Sequence, residues 1–193
     1  MPDPIALDPG RTALLVMDCQ TGIVENYAPN PAALLQRVSE VIAAARAHGM
    51  RVIYVVVGFR PGYPEIGPNN RSFNALKDSG RVLAPVVHPE LVPHEAEPIV
   101  VKRRVGAFAG TDLEIILRAN GIDTLVLAGI STSGVVLSTL RHAADADYRI
   151  AVLRDCCADP DAAVHDCLMN KVFPRQADVM TADDLLGSLA ASA

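Results

Sequence analysis

Two charged residues stand directly behind apolar runs: Asp18 closes LLVMD before CQTG, and Lys102 closes PIVVK before RRVGAF. A carboxylate at the rim of a buried strand is partly desolvated, which raises its pKa and suits it to proton exchange near neutrality. A lysine in the same setting can hold that carboxylate ionised or orient a substrate carbonyl. The third feature is the turn GISTSG, Gly129 to Gly134, set between an apolar strand and a helical pattern. Its small residues let backbone amides converge at a helix N-terminus, a place for an anion or a developing oxyanion. Each feature also has a purely structural counterpart, a turn aspartate or a capped strand-to-helix turn that binds nothing. Three of them at one sheet edge point to an active site. Arg103 and Arg104, beside Lys102, read as solvated surface charge.

The elements that must position these groups follow from hydrophobic pattern. Six short runs, at Arg11 to Asp18, Arg51 to Val57, Pro98 to Lys102, Asp123 to Gly129, Tyr148 to Asp155 and Ala177 to Thr181, are mostly continuous rather than alternating. Continuous apolar strands are covered on both faces. Between them lie helical patterns: Asn30 caps a run beginning with Pro31 and ending at Gly49, Thr111 opens one ended by Gly121, and Thr132 or Ser133 opens the next. Asp159 with Pro160 is expected to start a fourth, and Thr181 to cap a last one. Strands alternating with helices require parallel crossovers. The expected fold is a three-layer α/β/α sandwich around a mostly parallel six-stranded sheet, formed as a single domain over residues 1–193. Ligands in such folds bind beyond the carboxyl ends of the strands. That edge carries Asp18, Phe59, Arg60, Lys102 and the GISTSG turn.

The segment from Gly58 to Glu97 breaks the pattern, crowding prolines and glycines around FRPGYPEIGPNN and PELVPHEAEP. A long irregular stretch within a domain suits a binding loop or a subunit contact.

Bulk properties narrow the function. The 193 residues are 50% hydrophobic and 20% charged, with a net charge of -5 and no basic run. A packed globule follows, and nucleic acid or an anionic membrane is not an expected partner. No basic leader precedes an apolar core, and no apolar run approaches the roughly 18 residues of a membrane span. The expectation is a soluble, cytoplasmic protein. Cys19, Cys156, Cys157 and Cys167 fit no CxxC spacing and are expected to be reduced and mostly buried.

TALLVMDCQTG, VVKRRVGAFAGTDL and GISTSGVVLST, in this order, resemble the D-x-Q strand, the K-x-x-x-x-A-F-x-x-T-x-L segment and the G-x-x-T-x-x-C-V-x-x-T turn of the isochorismatase-like, or cysteine hydrolase, family. The likeness covers nearly the whole chain. In the thiol members it implies a catalytic aspartate, lysine and cysteine, with turn amides holding the oxyanion. Asp18 and Lys102 match the first two. The cysteine's position falls on Val135, which has neither proton nor lone pair, so a thiol-dependent amidase route is not expected there. Isochorismatases resemble the amidases yet lack the cysteine, and the aspartate acts as general acid toward a vinyl ether that water then captures. Asp18 is expected to act in that manner with Lys102 as electrostatic partner, although Val135 stands where those enzymes tend to have glycine. The other reading is a catalytically silent homologue that binds a metabolite or serves in an assembly.

By the same resemblance, the turn residues Ile130, Ser131, Thr132 and Gly134, with amides from Ser131 to Val135, would receive the substrate, and the Ile130–Ser131 peptide would be cis. Gln20, Arg60, Tyr63 and Phe108 are the expected pocket residues. Nicotinamidases of the family hold a metal through an Asp-x-His arrangement and a further histidine; GFRPGYPEIGPNN has none. His88 and His94 are separated by prolines, and His142 and His165 lie in helical patterns, where His165 is expected to cap or pack. No metal and no cofactor are expected. Cys19 should point away from Asp18, while Cys156 or Cys157 could approach the pocket from the fifth strand. The partners expected are a small-molecule substrate and further copies of the chain in a homo-oligomer.

Overall fold

Among the described residues, all six strands of the sheet run the same way. The structure, a computed structural model, describes residues 7–78 and 84–191. Its sheet comprises β1 (Thr12–Met17), β2 (Arg51–Val57), β3 (Ile99–Lys102), β4 (Thr124–Ile130), β5 (Arg149–Ala158) and β6 (Asp178–Met180), in the order β3-β2-β1-β4-β5-β6. All pairings are parallel. The chain builds outward from β1 through β2 to β3, then returns to place β4 on the other side of β1. The switch point, where such sheets open a crevice for ligands, therefore lies between the carboxyl ends of β1 and β4.

The continuous apolar runs are explained by two cores, one on each face. Leu14, Val16, Val52, Tyr54, Val126 and Leu153 pack with α1 (Thr21–Tyr27), α2 (Pro31–Ala47) and α7 (Ala182–Ala191). The alternate residues Ala13, Leu15, Met17, Ile53, Leu125, Leu127 and Val152 pack with α4 (Leu113–Ala119) and α5 (Leu137–Asp145). Period-two alternation sends successive side chains to opposite faces, and both faces are apolar because both are covered.

The caps mostly follow the sequence. Asn30 accepts the Ala33 amide at 3.3 Å at the start of α2. Thr181 and Asp184 exchange bonds at the start of α7, Thr181 N–H to Asp184 at 2.8 Å and Asp184 N–H to the Thr181 hydroxyl at 3.2 Å. One cap is displaced. Helix α6 (Ala162–Cys167) starts behind Asp161, which accepts the Ala163 amide at 2.9 Å, whereas Asp159 turns toward the β4 turn. The proline-rich segment also holds an unforeseen helix, α3 (Arg71–Asp78). Among the described residues no helix is long and apolar enough to cross a membrane.

Candidate active site

The chain leaves β1 at Asp18 with φ of 56°, a left-handed conformation that aspartate tolerates better than most residues. The Asp18 amide donates to the Val55 carbonyl at 2.8 Å, so the break in direction does not detach the residue from β2. Its Oδ2 lies 2.9 Å from Lys102 Nζ, and both side chains are buried, 8% and 3% exposed. Lys102 Nζ also donates to the Arg104 carbonyl at 3.1 Å. Asp18 Oδ1 is buried without a hydrogen-bond partner, alone in this among the described residues. Burial pushes the Asp18 carboxyl up to about 6, while the Lys102 charge and hydrogen bond pull it back down. The group is thereby poised to change protonation state in a near-neutral range.

The β4 turn faces this pair. Gly129 has φ of 153°, and a Cβ there would meet the Met17 carbonyl oxygen at 2.3 Å, so only glycine lets β4 run this close to β1. The Ile130–Ser131 peptide is cis. A π-helical turn, Thr132–Val136, then leads into α5. Two of the amides expected to receive a substrate are already engaged: Ser133 N–H donates to Asp159 Oδ2 at 2.8 Å, and Gly134 N–H to the Ser131 carbonyl at 3.1 Å. Thr132 is fully buried, with its hydroxyl 2.8 Å from His165 Nδ1. His165 thus ties α6 to the turn.

A cavity of about 370 Å³ brings Asp18, Lys102, Ile130, Ser131, Gly134 and Val135 together. Its remaining walls are Ile23 and Tyr27 of α1, Val57, Ser72, Phe73 and Leu76 of α3, and Val105. The α1 and α3 contributions were not foreseen. The i, i+3 spacing of Phe73 and Leu76 in RSFNALKD was the available sequence signal.

The four expected pocket residues lie elsewhere, because other partners hold them. Gln20 is a buried tie: its amide donates to the Val57 and Ala84 carbonyls at 3.0 and 2.5 Å and its carbonyl accepts the Val57 amide at 2.7 Å. Arg60 pairs with Glu65 at 2.7 Å on the surface. Tyr63 lies against Phe59, with ring centroids 6.0 Å apart. Phe108 belongs to the core beneath α5, stacked on His142 at 4.4 Å.

None of the four cysteines lines the cavity. Cys19, Cys156 and Cys157 are buried and Cys167 is exposed. Burial pushes the Cys157 thiol up to about 12 and raises Cys19 and Cys156 as well, which disfavours a thiolate at each. Cys157 borders a separate hollow with Asp155, Asp159, His165 and Asp166. Among the described residues no three His, Cys, Asp or Glu side chains are gathered as a metal site.

Comparison with known proteins accords with this geometry. An Isochorismatase domain model matches residues 12–184. An uncharacterized isochorismatase family protein, YecD of Escherichia coli O157:H7, is 34% identical, covering 96% of this chain and all of its own length. A ureidoacrylate amidohydrolase, RutB of Methylorubrum extorquens, is also 34% identical, over 88% of this chain and 79% of its own. An isochorismatase family protein from Burkholderia thailandensis superposes with a TM-score of 0.81 at 27% identity, covering 96% of this chain and 98% of that one. With a family model spanning residues 12–184 and a relative 34% identical along its whole length, this chain belongs to the isochorismatase family.

Proposed function

We propose that this protein is a hydrolase of a small metabolite that works without a thiol, Asp18 exchanging the proton and Lys102 acting as its electrostatic partner. The observation that carries this reading is the buried Asp18–Lys102 pair, 2.9 Å apart, in a cavity that holds Val135 and no cysteine. With a vinyl ether as substrate, protonated Asp18 gives its proton to the alkene carbon, and the ether oxygen supplies the electron pair that forms an oxocarbenium ion. Water adds to that cation and loses a proton to the Asp18 carboxylate; the resulting hemiketal separates into a carbonyl compound and an alcohol. Lys102 stabilises the carboxylate between these steps, with an electrostatic effect strengthened by burial.

The kinship with an amidohydrolase such as RutB supports a small-metabolite substrate. Vinyl ethers, amides and imides offered to wild type and to Asp18→Asn test the proposal. Turnover by the first and none by the folded second is the expected result. A ligand bound tightly by both, with turnover by neither, makes the chain a silent homologue. The proposal also has the protein acting in the cytoplasm as a homo-oligomer without metal or cofactor, to be checked by fractionation, light scattering and elemental analysis.

A further inference from the structure

Two residues that do not line the Asp18 cavity hold the β4 turn. Asp159 accepts the Ser133 N–H at 2.8 Å, and His165 of α6 places Nδ1 2.8 Å from the Thr132 hydroxyl. Ser131, Gly134 and Val135 line the cavity, whereas Thr132 between them does not. Thr132 is thus the residue through which α6 sets how its neighbours face Asp18 and Lys102. Burial decides the direction of this bond. Thr132 is fully buried, and Nδ1 is the partner its hydroxyl has among the described residues. The hydroxyl therefore donates to a bare Nδ1, and the ring carries its proton on Nε2. Were Nδ1–H the donor instead, the threonine proton would be buried without an acceptor. A doubly protonated ring imposes that unfavourable arrangement.

We infer that His165 is a positioning residue of this site: neutral, it draws the Thr132 hydroxyl toward α6 and fixes Ser131, Gly134 and Val135 against the cavity; protonated, it reverses that bond and the turn shifts. Asp159 keeps its hold on Ser133 meanwhile, so the turn is displaced rather than detached. The ring is half-buried and borders a hollow of about 260 Å³ with Asp155, Cys157, Asp159 and Asp166, through which a proton can reach it. Burial lowers its pKa; Asp166 and Asp159 raise it, and Arg154 lowers it. Asp155 is committed to Arg37 at 3.1 Å and to the Ala182 amide at 2.8 Å, and Asp161, one turn earlier, caps α6. Burial keeps Cys157 protonated, and Pro29, Asn30 and Leu34 complete the hollow without a charge. His165 is accordingly neutral at neutral pH and takes up its proton below 6.5, its ordinary value. The effect on catalysis rests on the proposed hydrolase reading, whereas the response of the turn to the ring does not.

NMR of the full chain between about pH 8 and about pH 5, a range that spans imidazole protonation, tests this. At the upper end the His165 ring should show a bare Nδ1 and a protonated Nε2. As pH falls, the amides of Ser131, Thr132, Gly134 and Val135 should shift with the His165 midpoint. Asp18 titrates beside the same turn, so His165→Asn supplies the reference, because its side-chain carbonyl can accept from Thr132 and cannot titrate. The part of the turn's shift due to His165 should vanish in that variant. His165→Leu has no acceptor and should displace the turn amides at every pH. A ring protonated on Nδ1 at the upper end, turn amides titrating alike in wild type and His165→Asn, or a wild-type turn in His165→Leu each overturns the inference. With a substrate from the screen, His165→Leu is expected to lower kcat about tenfold while KM changes by less than about twofold, and His165→Asn to recover most of that loss. A wild-type kcat in His165→Leu refutes the positioning role. Turn amides that follow His165 in a protein with no turnover sink the hydrolase reading and leave the link between ring and turn standing. Asp18-dependent turnover with a turn indifferent to His165 does the reverse.

Discussion

Asp18 and Lys102 meet across the end of a strand to which neither belongs. Asp18 follows β1, Lys102 ends β3, and β2 lies between them, yet Oδ2 and Nζ are 2.9 Å apart. The register accounts for this: Met17 pairs with Val55, and Val57 with Lys102, so β2 sets the height of both neighbours. The lysine side chain is long enough to reach over the β2 terminus to the carboxylate.

Breaking this buried pair from one side should cost more than dissolving it. At neutral pH, Asp18→Asn and Lys102→Met are each expected to lower unfolding free energy by about 3–5 kcal/mol, because each strands a buried polar partner. The double variant should lose clearly less than the sum of the two. Urea unfolding of all four proteins supplies the cycle; strict additivity would mean that the two groups do not stabilise each other.

The pH dependence has a defined sign. Burial raises the folded Asp18 carboxyl from the ordinary 3.8 to about 6, so the folded chain holds that proton more tightly than the unfolded chain. The stability this contributes is complete below 3.8 and is lost as pH rises through about 6. Unfolding free energy of wild type, referred to Asp18→Asn at each pH, should therefore fall across that window. Activity reports the same group: an acid role makes kcat/KM fall as pH rises through about 6, whereas a base role makes it rise.

A thiol-free mechanism predicts indifference to alkylation. Iodoacetamide should modify Cys167, the exposed cysteine, and leave the buried Cys19, Cys156 and Cys157 untouched in the folded protein. Intact mass should show a single adduct and activity should persist. Inactivation in step with labelling of Cys156 or Cys157 would return a thiol to the mechanism.

Gly129 holds the turn against β1, so Gly129→Ala should be among the most damaging small substitutions. Its Cβ would lie 2.3 Å from the Met17 carbonyl oxygen, a backbone atom that cannot move without shifting β1. A loss of about 3 kcal/mol or more is expected from the clash and the positive φ. A thermal midpoint within about 2 °C of wild type would contradict that account.

Asp159 holds the same turn from the other side. Asp159→Ala removes the acceptor for the Ser133 amide at 2.8 Å and the Asp161 amide at 3.2 Å. Stability should drop by about 0.5–1.5 kcal/mol, the net worth of a hydrogen bond whose donor water can reach. Amide exchange should quicken around Ser133, and an unchanged exchange rate there would show that another group fixes the turn.

Much of this architecture was legible in the chain. The apolar runs were continuous because the sheet is covered on both faces, and Asn30 and Thr181 cap the helices that the sequence marked. The shorter pieces were harder to read. Helices α1 and α3, with seven and eight residues, carry too little periodicity to stand out, yet they supply Ile23, Tyr27, Phe73 and Leu76 to the cavity. Arg60 and Tyr63 lay in the right region for a pocket, but Glu65 and Phe59 engage them instead. Such competition among side chains leaves no trace in residue type.

The sequence by itself determined the chemical inventory: a carboxylate and a lysine at strand ends, a small-residue turn, and valine at the position that the family resemblance assigns to a nucleophile. Local pattern determined the strands and the covered faces, because burial on both sides requires apolar residues at successive positions. Only the tertiary structure decided that β2 would stand between β1 and β3, bringing Asp18 to Lys102, and that Asp159 would take the Ser133 amide. Those pairings join segments remote in sequence. They depend on strand order and on which partner lies nearest after packing, which no local run of residues specifies.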